Sequence, residues 1–102
     1  MSAVKVQVQL TNKTTAVRLD QYRGIVQTVA LTDAQDTNFS FTINNKWIRS
    51  ANLVMLQTIY AGTTGFPVVT IVSRTRGSIT VKVQNVGTAV LNAALQIGFK
   101  IV

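Results

Sequence analysis

Apolar and polar residues alternate with a period of two over three segments, and this alternation predicts half-buried β-strands. From Val4 to Leu10 the apolar set is Val4, Val6, Val8 and Leu10, with Lys5, Gln7 and Gln9 opposite. From Ser78 to Gln84, Ile79, Val81 and Val83 oppose Ser78, Thr80, Lys82 and Gln84. Near the end of the chain, Leu95, Ile97, Phe99 and Ile101 alternate with Gln96, Gly98 and Lys100. Four further strands are expected. Gly24–Thr32 places Ile25, Val29 and Leu31 on one face, interrupted by Gln27, and Phe39, Phe41 and Ile43 form a short aromatic-rich strand. Leu53–Tyr60 and Val68–Thr75 are apolar on both faces, the pattern of strands covered on both sides.

Turn chemistry separates these segments at Asn44-Asn45, Gly62-Thr63-Thr64-Gly65, Arg76-Gly77 and Val86-Gly87. Asn45–Ala51 fits one helical turn, with Trp47 and Ala51 four apart, or equally a loop capped by a buried Trp. Leu91–Leu95 reads as a turn at Asn92 into the last strand, although Ala93 and Ala94 favour helix. About seven short strands punctuated by turns predict an all-β fold, a single small antiparallel β-sandwich of jelly-roll or immunoglobulin-like type. No repeat or linker divides residues 1–102, so one domain is expected. Residues 1–37, rich in Gln, Asn, Lys and Arg, read as an N-terminal strand or arm, and residues 38–102 as the core of the module.

Composition narrows the chemistry. The chain has 102 residues, 47% of them hydrophobic, which suffices for one modest core without a disulfide or structural metal. Cys, His and Glu are absent, which removes thiol nucleophiles, zinc knuckles and the commonest general acid–base side chains. Asp20, Asp33 and Asp36 are the only carboxylates. Asp20 lies near Arg18 and Arg23, where an ion pair accounts for it, while Asp33 and Asp36 share one polar loop. Asp33, Asp36 and Asn38 do not match a calcium-loop spacing and are expected to cap turns. Ser40, Ser50, Ser73 and Ser78 have no His to serve as base. No catalytic, cofactor-binding or metal-binding residue is therefore assigned, and a non-enzymatic protein is expected. No apolar run approaches the ~20 residues of a membrane span, and Met1-Ser2-Ala3 opens an alternating stretch unlike a signal peptide.

Charge points to partners. Ten Lys and Arg against three Asp give a formal charge of +7. A basic chain with Tyr22, Trp47, Tyr60 and Phe66 has the ingredients of a single-stranded nucleic-acid-binding β-barrel. The cations are spread along the chain, however, and are expected to fall singly on polar faces without a groove. Only Lys46-Trp47-Ile48-Arg49 and Arg74-Thr75-Arg76 bring charges together, so Lys46, Trp47, Arg49, Arg74 and Arg76 are the candidate partner-binding residues. An alternating strand near a chain end can add to a neighbour's sheet, which makes Val4, Val6, Val8 and Leu10 candidates for strand exchange between subunits.

One longer pattern is more specific. Gly62, Gly65 and Pro67 in a strand-connecting turn are followed by Gly77-Ser78 opening a strand. Asn85 and Gly87 come next, then Leu91-Asn92 before the last strand and Phe99. In this order they resemble a short β-sandwich module of tailed-phage virion proteins, notably marine and cyanobacterial phages, of decoration or tail-fibre type. The resemblance runs from about Thr37 to Val102, roughly two thirds of the chain. It implies a virion structural protein, made in the host cytoplasm, that binds the major capsid protein or another virion protein as a homo-oligomer. The short N-terminal part favours a capsid decoration (cement) protein that stabilises the shell, with a tail-associated receptor- or glycan-binding module as the alternative. The motif residues themselves read as architecture: Gly62 and Gly65 permit positive φ, Pro67 begins a strand, and Asn85 and Asn92 bond their own turns.

Overall fold

The computed structural model describes residues 5–49 and 53–102. Val4, Ser50 and Ala51, which carried expectations above, lie outside the described residues. Eight strands form: β1 (Lys5–Val8), β2 (Val17–Arg18), β3 (Arg23–Gln27), β4 (Asn38–Asn44), β5 (Val54–Tyr60), β6 (Pro67–Thr75), β7 (Ser78–Asn85) and β8 (Leu95–Ile101). They make two four-stranded sheets, one ordered β1-β3-β8-β5 and the other β2-β4-β7-β6. The architecture is the small β-sandwich that the alternation predicts.

The chain crosses from one sheet to the other at every connection from β1 to β6, and only β6–β7 is a hairpin within a sheet. Each crossing reverses direction, so strands two apart in sequence run the same way. Hence β1 pairs parallel with β3 and β2 with β4, while all other pairings are antiparallel. The sheets are therefore mixed at one edge, where a purely antiparallel sandwich was expected. β1 pairs within its own chain.

The core lies between the sheets. Phe39, Phe41, Ile43, Ile79, Val81 and Val83 come from one side, and Val26, Leu95, Ile97, Phe99 and Ile101 from the other. Leu31, Ile48 and Leu91 close it from loops. Burying side chains of this size contributes about 1.5–3 kcal/mol each.

Three strand expectations are corrected. In β1 the apolar face points outward, with Val6, Val8 and Leu10 exposed, and Gln9 is buried instead. The Gln9 amide donates to Lys13 O (2.8 Å) and Thr15 O (3.0 Å) and accepts from Val29 N (3.1 Å), which fixes the register against the hydrophobic pattern. In the second segment the strand ends at Gln27, and Val26 and Thr28 face the core while Ile25 lies on the outer face. Gly24 permits this, because a Cβ there would collide with Leu19 and crowd Phe99. Thr28 then ends the ladder, with its hydroxyl accepting from Leu95 N at 2.9 Å. Lastly, β5 and β6 are edge strands whose outer faces are open, not strands covered on both sides.

The turn residues behave as their chemistry requires. Gly65 and Gly77 have positive φ, at 81° and 88°, whereas Gly62 does not and is needed for close approach to Tyr60 and Asn92. Asn45–Arg49 is a loop with Trp47 half-buried, and no helix forms there among the described residues.

Candidate functional site

The strand register brings most of the cations to one end of the sandwich. Lys5 opens β1 and Arg23 opens β3, and Lys100 lies near the end of β8 as the register partner of Arg23. Arg18 ends β2 beside Asn44, which ends β4. Lys46 and Arg49 follow β4 directly, while Arg74 and Arg76 flank the tip of the β6–β7 hairpin. All eight side chains are exposed. Asp20 is the only acid at this pole, so the pole holds the full formal charge of +7, and the remaining Lys13, Lys82, Asp33 and Asp36 cancel. Lys82 sits in mid-strand on β7, and Lys13, Asp33 and Asp36 lie around the opposite pole.

The two basic segments singled out in sequence are joined by main-chain hydrogen bonds. Asn45 N donates to Gly77 O (2.9 Å) and Gly77 N to Ile48 O (2.8 Å), which ties the 45–49 loop to the hairpin tip. Gly77 fits this contact because its φ lies in the left-handed region. Asn45 is fully buried, with Oδ1 accepting from Trp47 N (3.0 Å) and Nδ2 donating to Gln21 O. Ile48 anchors the same loop in the core. Lys46, Trp47, Arg49, Arg74 and Arg76 therefore share one surface on a fixed backbone.

Asp20 organises the pole. Its Oδ1 accepts from Lys46 N (2.8 Å) and from Arg18 Nη1 (3.0 Å), so the ion pair expected for Asp20 is formed with Arg18. The Lys46 main-chain N–H, first of all, holds the Asp20 carboxyl below the usual carboxylate range; desolvation opposes it, and the charge and hydrogen bond of Arg18 and the charge of Lys46 add to the lowering. Trp47 is stacked on Tyr22, with ring centroids 4.9 Å apart, and Lys46 Nζ sits over the indole at 5.2 Å. The indole is thus a packed support for Lys46, with Tyr22 against its face. Lys5, Arg18, Arg23 and Lys100 belong to this surface and were not among the candidate partner-binding residues read from sequence; Tyr22, read there only as a candidate stacking aromatic, joins them. Each stands at or next to a strand end, and only the strand directions reveal which ends coincide.

The polar loop of the opposite pole is structural. Asp33 Oδ2 pairs with Lys13 Nζ at 2.9 Å, and that ammonium also lies 5.0 Å from the Phe39 ring centre. Asp36 takes a positive φ of 64° in the turn before β4. Asn92 Oδ1 accepts from Thr63 N (2.9 Å), and Asn92 N donates to the Tyr60 hydroxyl (2.7 Å), so it pins the Gly62–Gly65 loop. Among the described residues, no group of three or more Asp converges as a metal site would require.

Comparisons with protein-family models, curated proteins and solved structures return no match.

A second feature lies on the outer face of the β1-β3-β8-β5 sheet. Gly98 at its centre leaves a hollow of about 360 Å³ walled by Ile25, Met55, Gln57, Ile59, Gln96 and Lys100. Val6 and Val8, the strand-exchange candidates that fall in β1, extend this apolar face toward the other edge.

Proposed function

We propose that this protein is a non-enzymatic virion structural protein of the capsid-decoration type, which binds an acidic shell surface through its basic pole. The gathering of the entire net charge on one end of a rigid sandwich carries this reading, together with the resemblance of residues 37–102 to phage virion modules. The cations stand on backbone already fixed by Asn45, Gly77 and Asp20, so docking costs little loop ordering. Repeated copies on a symmetric shell convert a modest contact into firm attachment. The packing of Tyr22 and of Lys46 against Trp47 favours an acidic protein surface over stacked nucleic-acid bases, which require open aromatic faces.

Co-sedimentation with shells of the encoding phage tests the reading. Binding is expected to weaken steeply with added salt. The K46E/R76E variant is expected to bind at least about tenfold more weakly, since each charge-assisted contact is worth of the order of 1 kcal/mol. Lys82→Glu, away from the pole, is expected to bind like the parent. Salt-independent binding, or equal losses in both variants, refutes the charge-docking mechanism. Immuno-electron microscopy is expected to label the shell, and labelling at the tail would favour the receptor- or glycan-binding alternative. Tight binding to single-stranded oligonucleotides with a steep log–log salt slope, and none to shells, would favour the nucleic-acid reading.

A further inference from the structure

We infer that β5 is the surface through which two copies of this chain associate, pairing edge to edge as antiparallel strands about a two-fold axis at Gln57. The pairing is independent of what the basic pole binds.

An unpaired edge strand is a template for another strand, and proteins normally block it with charge, proline, a bulge or shortness. Three of the four edges in this sandwich are blocked in those ways. β1 is four residues long and carries Lys5, and β2 is two residues long and carries Arg18. β6 begins at Pro67, is bulged between Ile71 and Ser73, and carries Arg74 near its end. β5 has none of these devices. It reads Val-Met-Leu-Gln-Thr-Ile-Tyr over seven regular residues with no charge. Its sequence has the pattern of a strand covered on both faces, yet Met55 is 61% and Ile59 53% exposed on the outer face.

The free main-chain groups can be assigned by parity. Val102 N donates to Leu53 O, so odd-numbered β5 residues exchange hydrogen bonds with β8. The N–H and C=O groups of Val54, Leu56, Thr58 and Tyr60 therefore point away from the sheet. Antiparallel pairing centred on Gln57 sets Val54 against Tyr60 of the second copy and Leu56 against its Thr58. Every one of those outward groups then meets a complementary group. On the outer face the same register sets Met55 against Ile59 of the second copy, twice, with the two Gln57 side chains between them. The apolar face around Gly98 becomes continuous across the pair.

Charge selects this arrangement as well. β5 starts at the basic pole, so antiparallel pairing places each basic pole beside the other copy's pole that carries Asp33 and Asp36. A parallel pairing would set two +7 ends side by side.

Light scattering coupled to size-exclusion chromatography, at about 0.1 mM chain where a micromolar complex is saturated, is expected to give twice the 11.1 kDa chain mass. M55K/I59K alters only exposed side chains and is expected to elute at the single-chain mass with an unchanged circular dichroism spectrum. The chain has no cysteine, so Gln57→Cys is a clean probe. The two residues form a non-hydrogen-bonded pair with Cα atoms about 4.5 Å apart, within disulfide reach. Mild oxidation is expected to cross-link Gln57→Cys nearly completely and to leave Ser40→Cys, on the outer face of the other sheet, as single chains. A monomeric parent protein at that concentration overturns the inference. So does a folded M55K/I59K variant that keeps the double mass, or a Ser40→Cys variant that cross-links as fast as Gln57→Cys.

Discussion

Asn85 closes β7 with its side chain fully buried, and replacing it by Ala measures how much one amide holds this end of the sandwich together. Its Oδ1 accepts from Phe66 N and Gly87 N, both at 3.0 Å. Its Nδ2 donates to Asp33 O at 3.0 Å and Ala89 O at 2.8 Å. Four main-chain groups from three loop segments thus depend on one side chain that Ala cannot replace. A buried polar group left unpaired costs about 1–3 kcal/mol. Only the bond to Asp33 O is wholly buried, so water relieves part of the cost at the other three. The expected loss is about 4 kcal/mol, a large share of the ~5–15 kcal/mol that stabilises a typical domain. Urea titration followed by circular dichroism reads it as a lower midpoint with an unchanged slope. A loss below about 1 kcal/mol would refute the argument, because the four groups would then have found equivalent partners without Asn85.

The Asp20 carboxyl titrates below the ordinary carboxylate range in the folded protein, so it adds stability that is present above its unfolded pKa. That contribution is lost as pH falls through the folded value, and Asp20→Asn is expected to flatten this acid-side decline in thermal unfolding scans. An undiminished decline in the variant would refute this role for Asp20. Gly77→Ala meets open space but a φ of 88°, so a loss of about 1 kcal/mol from backbone strain is expected in the same urea assay. Neutral or stabilising behaviour would show that the hairpin tip re-forms with another turn, and amide exchange at Gly77 would report the broken link to Ile48.

Seven of the strands were legible as runs of Val, Ile, Leu and Phe, most plainly β4, β7 and β8, whose alternating apolar face is the one that packs on the core. β2 was not, since Val17–Arg18 is too short to show a period. Inside and outside were misjudged for β1 and for part of β3. There, polar wiring through Gln9 and Thr28 and the missing side chain of Gly24 outweigh the apolar alternation. Both basic segments of the candidate site were visible as local clusters. Their union, and the addition of Lys5, Arg18, Arg23 and Lys100, depends on which strand ends coincide, and residue order alone does not contain that. The positive φ at Gly65, the initial position of Pro67 and the turn bonding of Asn85 were each readable from residue type, whereas Asn92, expected to bond its own turn, instead holds the distant Thr63–Thr64 segment and Tyr60.

The weave of the strands also sets the order in which the molecule is able to fold. Only β6 and β7 meet through a short local connection, and β4 joins them from across the intervening β5. The other sheet has β8 between β3 and β5, so its two central pairings wait for residues 95–101. Such non-local pairing places refolding in the millisecond-to-second range, slower than helical chains of similar length. A stopped-flow experiment is expected to find protection first in β4, β6 and β7 and last in β3 and β5. Until β8 inserts, β5 has both sides open and β3, paired only with β1, has one, and in that interval the chain is most exposed to capture by others of its kind.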